Sequence, residues 1–529
     1  MLVDGTNEDR PFPFTRLDVL IAACLFILGL VTYIRTLAPD VLYGDSGEFQ
    51  VLAATGGLAH ATGYPIYLLM ARVFTWLPFG TLAWKVNLLS AILACSAIGK
   101  VFLIARSLGV RRVFAIVGAV VLLINPLFWW QSIIAEVYTA SADFFIGAVL
   151  CAVIWRKSRD PRWLAAGGLL GGLCLGLHHT AVLALLSILV YLALAKPGKQ
   201  DWTLALGGIG AGVALALAAY MVMGSIDNVT TSTNSVRPSA SAYGLKMEDF
   251  DTPTTRVKFV MTARQWSGEL FRADSSRIGK NWETLKQETL NDLGWVVPLI
   301  ALVGVGVLLA FKRTRPEGVL FLLSLIILLG FSLTHRAFDI EVDFLTAYVV
   351  MSALLAVGLQ AIQDLVFKKP LQQPGSRLAT AAAGLAVVVI STWPVISGAL
   401  SAFSEAKATF LTEDRRKLPY PVDSPTDAHD YGRAVVDSLE GNALVITRWE
   451  HEWPSYYVAQ FEANKPGMEF IEANPEGTKG KLADSMRAYI RESIAKRPVY
   501  ATGVLRSLIN DYDFYKVPLG YDLYQLRPR

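Results

Sequence analysis

The sequence predicts an α-helical polytopic membrane protein of about eleven spans, with a small α/β domain at its C-terminal end. Three observations predict it. Over 529 residues, 53% are hydrophobic and 17% charged, and the 42 glycines bring the apolar total to about 61%; soluble proteins average roughly 45–50% apolar and 25% charged. The lysines and arginines between the apolar runs fall on alternate loops. The last 130 or so residues then change to an alternation of short helical and strand-like patterns. This composition excludes a soluble enzyme, a disordered scaffold and a disulfide-stapled secreted module. A net charge of +4 gives no reason to expect nucleic acid.

A helix crossing about 30 Å of hydrocarbon needs roughly 20 apolar residues. Runs of that kind lie at 17–36, 84–105, 113–131, 134–155, 162–178, 180–195, 202–223, 294–311, 317–334, 344–366 and 378–401. The stretch from Tyr64 to Phe79 is broken by Pro65 and Pro78 and carries Arg72, so it reads as an interfacial helix. The first run follows Asp4, Glu8 and Asp9 and lacks a small-residue cleavage site, which predicts an anchor rather than a removed signal. With the N-terminus cytoplasmic, one face collects Arg106/Arg111/Arg112, Arg156/Lys157/Arg159/Arg162, Lys196/Lys199, Lys312/Arg313/Arg315 and Lys368/Lys369/Arg377. The positive-inside rule makes that face cytoplasmic.

The organisation that follows is a cytoplasmic segment 1–16 and a membrane domain 17–401 with outer loops 37–83 and 224–293. An extracytoplasmic domain, 402–529, completes it. Helix-like 427–439, strand-like 443–447, helix-like 455–462, strand-like 469–472, helix-like 481–494 and strand-like 499–502 alternate in that last piece. It carries no GxGxxG and no P-loop. Cys24, Cys95, Cys151 and Cys174 lie in apolar stretches and read as small buried hydrophobes. GGLLGGLCLG at 167–176 reads as a close helix-packing face, and the aromatic-rich WWQSIIAEVY as an interfacial belt.

Ionisable groups at membrane depth are costly and therefore point to function. On this topology Asp45 and Glu48 (GDSGE), Glu136 and Tyr138 (AEVYT), His178 and His179 (GLHHT), and His335, Arg336, Asp339 and Glu341 all converge on the outer plane. Asp45 and Glu48 are three residues apart and would share a helix face, where burial could raise one carboxyl toward a working base. The same spacing also fits a capping box, with Asp45 as N-cap and Glu48 at N3. His178, His179, His335 and Glu136 include metal-ligand types, yet no HExxH exists and adjacent histidines diverge; no metal is expected. Arg72, Lys85, Arg264, Arg272 and Arg336 are the outer cations, either snorkelling to head groups or clamping a lipid-linked phosphate.

The segment APDVLYGDSGEFQVLAATGGLAHATGYPIYLL, followed by WKVNLLSA, WWQSIIAEVYT and LGLHHT, resembles a large family of multi-spanning membrane proteins. That family includes the animal transmembrane O-mannosyltransferase and falls in the GT-C class of glycosyltransferases. The likeness is most specific over residues 38–90 and continues to about 195. The family's acidic first outer loop falls on Asp45 and Glu48, which makes Asp45 the implied general base. Its usual HPPGYPLY reads His60-Ala61-Thr62-Gly63-Tyr64-Pro65-Ile66-Tyr67, and its GNH-type turn reads Gly176-Leu177-His178-His179, with His179 matching the family histidine.

The resemblance implies transfer of a hexose, mannose by family warrant, from a polyprenyl-phosphate carrier to a hydroxyl of protein Ser/Thr or glycan. Inversion in one step at the non-cytoplasmic face is implied, with no metal or other cofactor. Arg264 or Arg336 would stabilise the leaving phosphate, and His60, Tyr64, Lys85, Glu136, Tyr138, His178, His179 and Asp339 would line the substrate. The implied partners are the bilayer, the lipid-linked donor and the acceptor, which the outer tail is expected to help select. A transporter predicts matched halves and midplane charges, which the chain lacks; a non-catalytic envelope assembly protein predicts a harmless Asp45→Asn.

Overall fold

The computed structural model describes residues 14–266, 273–336, 339–366, 426–472, 475–476 and 481–529. The expected span 378–401, together with Arg272, Lys368, Lys369 and Arg377, lies outside the described residues. From the N-terminal side the helices are α1 (Arg16–Thr36), α2 (Gly44–Thr55), α3 (Pro65–Thr75), α4 (Leu82–Ser107), α5 (Arg112–Leu123), α6 (Pro126–Ser132), α7 (Val137–Ser158) and α8 (Arg162–Leu173). Then come α9 (His179–Ala195), α10 (Lys199–Ser225), α11 (Ser232–Val236), α12 (Pro253–Met261), α13 (Ser275–Leu293), α14 (Val296–Ala310), α15 (Arg315–Thr334) and α16 (Leu345–Val366).

Among the described residues, six helices are long and apolar enough to cross a membrane: α1, α4, α7, α10, α15 and one running from Ile340 through α16. Counting the bent pairs α5–α6 and α13–α14 as one span each gives eight. The chain is a multi-pass membrane protein, and among the described residues, on which ten of the eleven expected runs fall, fewer than ten are full-length spans. The difference has local causes. Asn125 caps α6 and Pro126 opens it, so run 113–131 breaks at a 64° bend. Run 162–178 stops at a 3₁₀ turn over Cys174–Gly176, and α9 has 17 residues. An apolar run counts hydrophobic residues, whereas a helix also needs every backbone donor paired along its length.

The spans differ in their surroundings. Only 22% of the apolar run of α1 is buried, and Leu20, Ile27, Leu28 and Val31 face outward, whereas the run ending in α16 is wholly buried at the centre. Cys24, expected buried, is exposed on α1 with these lipid-facing residues. The glycine-rich run does pack closely: a Cβ on Gly168 would lie 2.5 Å from the Ala205 carbonyl oxygen, and one on Gly172 2.5 Å from that of Ile209. Thus α8 and α10 touch backbone to backbone, which small residues permit. Trp129 of the aromatic run is a core tie rather than a belt residue, buried with its indole N–H donated to Thr36 Oγ1 at 2.8 Å.

Helix ends rich in arginine gather at one end of the bundle. Asp18 at the start of α1 accepts from Arg106 (2.8 Å) and Arg112 (2.9 Å), Arg111 pairs with Asp364 (2.8 Å), and Arg156 pairs with Glu317. The opposite ends of these helices carry Asn87, Glu136, His335 and Asp343, so the alternation of basic loops in sequence becomes a two-ended molecule.

The tail forms a five-stranded sheet of order β2-β1-β5-β7-β6, from β1 (Leu444–Thr447), β2 (Glu469–Glu472), β5 (Val499–Ala501), β6 (Tyr512–Lys516) and β7 (Tyr524–Pro528). A short pair, β3 (Pro475–Glu476) and β4 (Lys481–Leu482), stands apart. Strand β1 pairs parallel with β2 and β5, and β7 runs antiparallel to both its neighbours. The helices are α17 (Asp427–Asp437), α18 (Trp449–Phe461) and α19 (Asp484–Ile494). Helix α18 begins six residues before the expected 455, and β6 and β7 were not expected, although Tyr512/Phe514 and Tyr524/Leu526 alternate with polar residues and Tyr512 and Leu526 are buried.

Candidate active site

The GDSGE segment opens α2, which sits at the acidic end of the bundle. Its N-cap is Tyr43, so Asp45 lies inside the first turn and the capping-box reading is not what forms. A buried amide chain fixes the helix: Leu42 N–H donates to Gln50 Oε1 (3.1 Å), Gln50 Nε2 to Asn87 Oδ1 (2.9 Å), and Asn87 Nδ2 to the Ala38 carbonyl (2.9 Å). Each of these buried polar groups is thereby satisfied, as burial requires.

Glu48 then points inward with no exposure. Its Oε1 accepts from the His60 backbone N–H (2.8 Å) and from the Ser232 hydroxyl, and its Oε2 meets His60 Nδ1 at 2.5 Å. Burial raises this carboxyl from its ordinary range, and the His60 ring and Ser232 hydroxyl oppose the rise. Burial alone would lower the imidazole, but the charges of Asp45 and Glu48 outweigh it and hold the ring up at about 10. An unfolded histidine titrates near 6.5. The ring's stabilisation is therefore complete below about pH 6.5 and is lost as pH rises through about 10, an effect of at most about 5 kcal/mol. Thermal unfolding midpoints are expected to fall over that window in wild type and to fall less in His60→Gln; parallel curves for the two proteins would show that His60 is not charged.

Asp45 stands on the open side of this pair, its side chain 33% exposed. One oxygen, Oδ2, faces His60 Nε2 at 3.6 Å, and the other, Oδ1, accepts the indole N–H of Trp449 at 3.1 Å. Glu136, at the N-cap of α7, is 8% exposed and accepts from the Ser46 hydroxyl at 3.2 Å. Burial pushes its carboxyl up, and the charges of Asp45 and Asp339 add to the rise.

From His60 a row of rings leads across the same end. Tyr64 is 5.1 Å from His60, His178 stacks on Tyr64 at 6.0 Å, Tyr138 is 5.0 Å from His178, and His179 follows at 4.1 Å. His335 lies 5.9 Å beyond His179 and meets Asp343 at 3.0 Å. His178 caps α9, its ring Nδ1 2.8 Å from Thr180 Oγ1, a structural task. His179 Nε2 is buried with no hydrogen-bond partner among the described residues. Loops far apart in sequence thus bring together Asp45, Glu48, His60, Tyr64, Glu136, Tyr138, His178 and His179, and Asp339 is close enough for its charge to act on Glu136 and Tyr138.

Two nominated cations, Lys85 and Arg264, lie elsewhere, and Arg336 follows His335 at the end of the row. Lys85 donates to the Thr75 carbonyl at 3.4 Å, closing the end of α3, and Arg264 donates to the Tyr243 carbonyl at 2.7 Å. Both are occupied as ties to backbone oxygens, which position in sequence does not reveal. Arg336 lies 3.6 Å from Asp274 and lines a cleft of about 330 Å³ with Asp274, Ser276, Arg277 and Lys280. Sequence reasoning missed Ser232 and Trp449. The first sits in the Thr/Ser-rich stretch 230–241, where no one hydroxyl stands out from its neighbours; the second is 404 residues from its partner, with no spacing to connect them.

Among the described residues, Asp45, Glu48 and His60 are the one group of metal-ligand types whose ligand atoms lie within 4.8 Å of one another. Both Glu48 oxygens already receive donors from inside, so an ion there would have to displace the imidazole.

Residues 45–201 match the model of the Protein O-mannosyl-transferase TMEM260 N-terminal domain. The chain is 30% identical over 191 residues to Protein O-mannosyl-transferase TMEM260 of Mus musculus, covering 35% of this chain and 27% of the mouse protein. It is 22% identical over 482 residues to Protein O-mannosyl-transferase tmem260 of Dictyostelium discoideum, covering 83% of this chain and 55% of that one. The chain thus spans about half the length of one relative and about a quarter of the other. Among solved structures, ArnT from Cupriavidus metallidurans bound to undecaprenyl phosphate superposes over 96% of this chain and 97% of its own, with a TM-score of 0.56 at 12% identity. Its apo state gives 0.57. Over residues 45–201 the chain is therefore similar to TMEM260 N-terminal domains, and its fold is that of the GT-C proteins.

Proposed function

We propose that the protein is a membrane glycosyltransferase that moves a hexose, mannose by its relatives' names, from a polyprenyl-phosphate donor to an acceptor hydroxyl. The acceptor is a protein Ser/Thr or a glycan. The observation that carries this reading is the exposure of Asp45 beside two walled-in carboxylates, Glu48 and Glu136. Asp45 takes the proton as the acceptor oxygen attacks the anomeric carbon, and the bond from that carbon to the carrier phosphate breaks on the far side. One carboxylate in this role gives inversion. Two carboxylates about 5 Å apart suit a covalent, retaining route, but Glu48 has both oxygens engaged and no exposure, so it holds His60 instead of attacking.

Of the two arginines nominated for the leaving group, Arg336 fits better, because it shares its cleft with Arg277 and Lys280. Preplaced cations stabilise charge as it develops on phosphate. The lipid tail of the donor would lie among the apolar helices, and the bound undecaprenyl phosphate of the structurally similar ArnT supports that class of carrier. The concentration of arginines at the other end supports a cytoplasmic N-terminus, with the site and tail domain outside.

The test is release of polyprenyl phosphate by the purified full-length protein in detergent, offered polyprenyl-phosphate sugars and an acceptor. Turnover is expected, with no more than a twofold change on adding EDTA, given how Glu48 is occupied. Absence of turnover with every sugar, alongside uptake without bond cleavage in sealed vesicles, would replace this reading with transport.

A further inference from the structure

The tail domain does more than stand beside the site: we infer that Trp449 positions the Asp45 carboxylate for the reaction. The inference rests on Asp45 being the base, as proposed above. Trp449 is the first residue of α18, and its indole N–H holds Asp45 Oδ1 at 3.1 Å while its ring stands edge-on to His60 at 5.5 Å. An indole N–H donates and never accepts. It fixes one carboxylate oxygen without competing for the acceptor's proton, and leaves Oδ2 on the side of His60.

The geometry around Trp449 is that of a seated helix. One turn on, Trp453 is fully buried, 5.2 Å from the Trp449 ring, and bears directly on α2. A Cβ added at Gly47 would meet the Leu42 carbonyl oxygen at 2.3 Å and Trp453 Cβ at 2.9 Å, so the glycine of GDSGE accommodates both the preceding loop and the tail domain. Tyr43 donates to the Asp427 carbonyl at 3.1 Å and its ring meets His451 at 5.3 Å. On the other flank the Ser235 hydroxyl donates to buried Glu452 at 2.8 Å. These contacts hold α18 against α2 and the preceding Tyr43 on one flank and against α11 on the other. The membrane domain by itself leaves Asp45 Oδ1 without this donor, so the candidate site is completed by the tail.

Orientation of a reacting group within tenths of an ångström is worth orders of magnitude in rate. Trp449→Phe in the full-length protein keeps the ring and removes the donor. It is expected to lower kcat by about 10- to 100-fold, with KM for the lipid-linked sugar and the unfolding midpoint unchanged. A purely structural tryptophan would move the midpoint and leave kcat of the folded protein alone, and that result overturns the inference. If Trp449→Phe does not fold, the ¹⁵N-indole resonances of wild type and Asp45→Asn decide: a shift of one indole N–H supports the contact, and an unshifted spectrum refutes it. An active wild type with an equally active Trp449→Phe removes this inference only; a wild type inactive on every donor removes the proposed function and this inference together.

Discussion

Asp45→Asn is expected to lower transfer by about 10³-fold, with a moderate loss of stability because the Asp45 charge helps hold His60 protonated. The amide is nearly the same size as the carboxylate, and its oxygen still accepts the Trp449 indole N–H. Its nitrogen side cannot take a proton from an acceptor hydroxyl. The side chain is 33% exposed, so the cost in folding is confined to the lost support for His60, and Glu48 still holds that ring. A positioned base contributes roughly 10²–10⁴ in rate, so the residual rate should sit in that range below wild type. Polyprenyl phosphate release per mole of folded protein is the measurement. Equal rates for Asp45→Asn and wild type would leave no role for this carboxylate as base and would favour a binding or assembly protein.

Glu48→Ala should fail differently, losing both fold and activity. Its carboxylate is the acceptor for the His60 amide, the His60 ring and the Ser232 hydroxyl, all from inside. Truncation leaves a buried imidazolium and two orphaned donors; breaking such a pair typically costs 3–5 kcal/mol. Thermal unfolding in detergent should show a large drop, with turnover lost in proportion to the loss of folded protein and beyond it. Glu48→Gln keeps the volume and one accepting oxygen, so it should fold, yet it places an amide where His60 has a charged partner. The alkaline loss of stability assigned to His60 should then shrink. A Glu48→Ala protein as stable and active as wild type would mean that the Glu48–His60 pair does not hold the site.

Part of this site could be read in the residues alone. Asp45, Glu136, Tyr138 and the histidine pair stand out because polar groups beside apolar runs are expensive and need a reason to be there. The same logic is too permissive for cations. Lys85 and Arg264 sit beside the same loops but spend their donors on the carbonyls of Thr75 and Tyr243, a use that any long basic side chain can have. At GDSGE one register detail removes the capping box: the helix begins at Gly44, so Asp45 is past the cap. Glu48, read as a partner base, became a support for His60 once its burial was known.

Composition and charge order determined that the chain lives in a bilayer, that its ends are chemically opposite, and that an α/β unit follows the helices. Those properties are sums over many residues, and no single contact alters them. Tertiary structure decided which of the described runs are full-length spans, which carboxylate reaches solvent, and that a tryptophan 404 residues downstream donates to Asp45. Such properties depend on distances of a few ångströms between segments remote along the chain, and hydropathy and spacing record nothing about them.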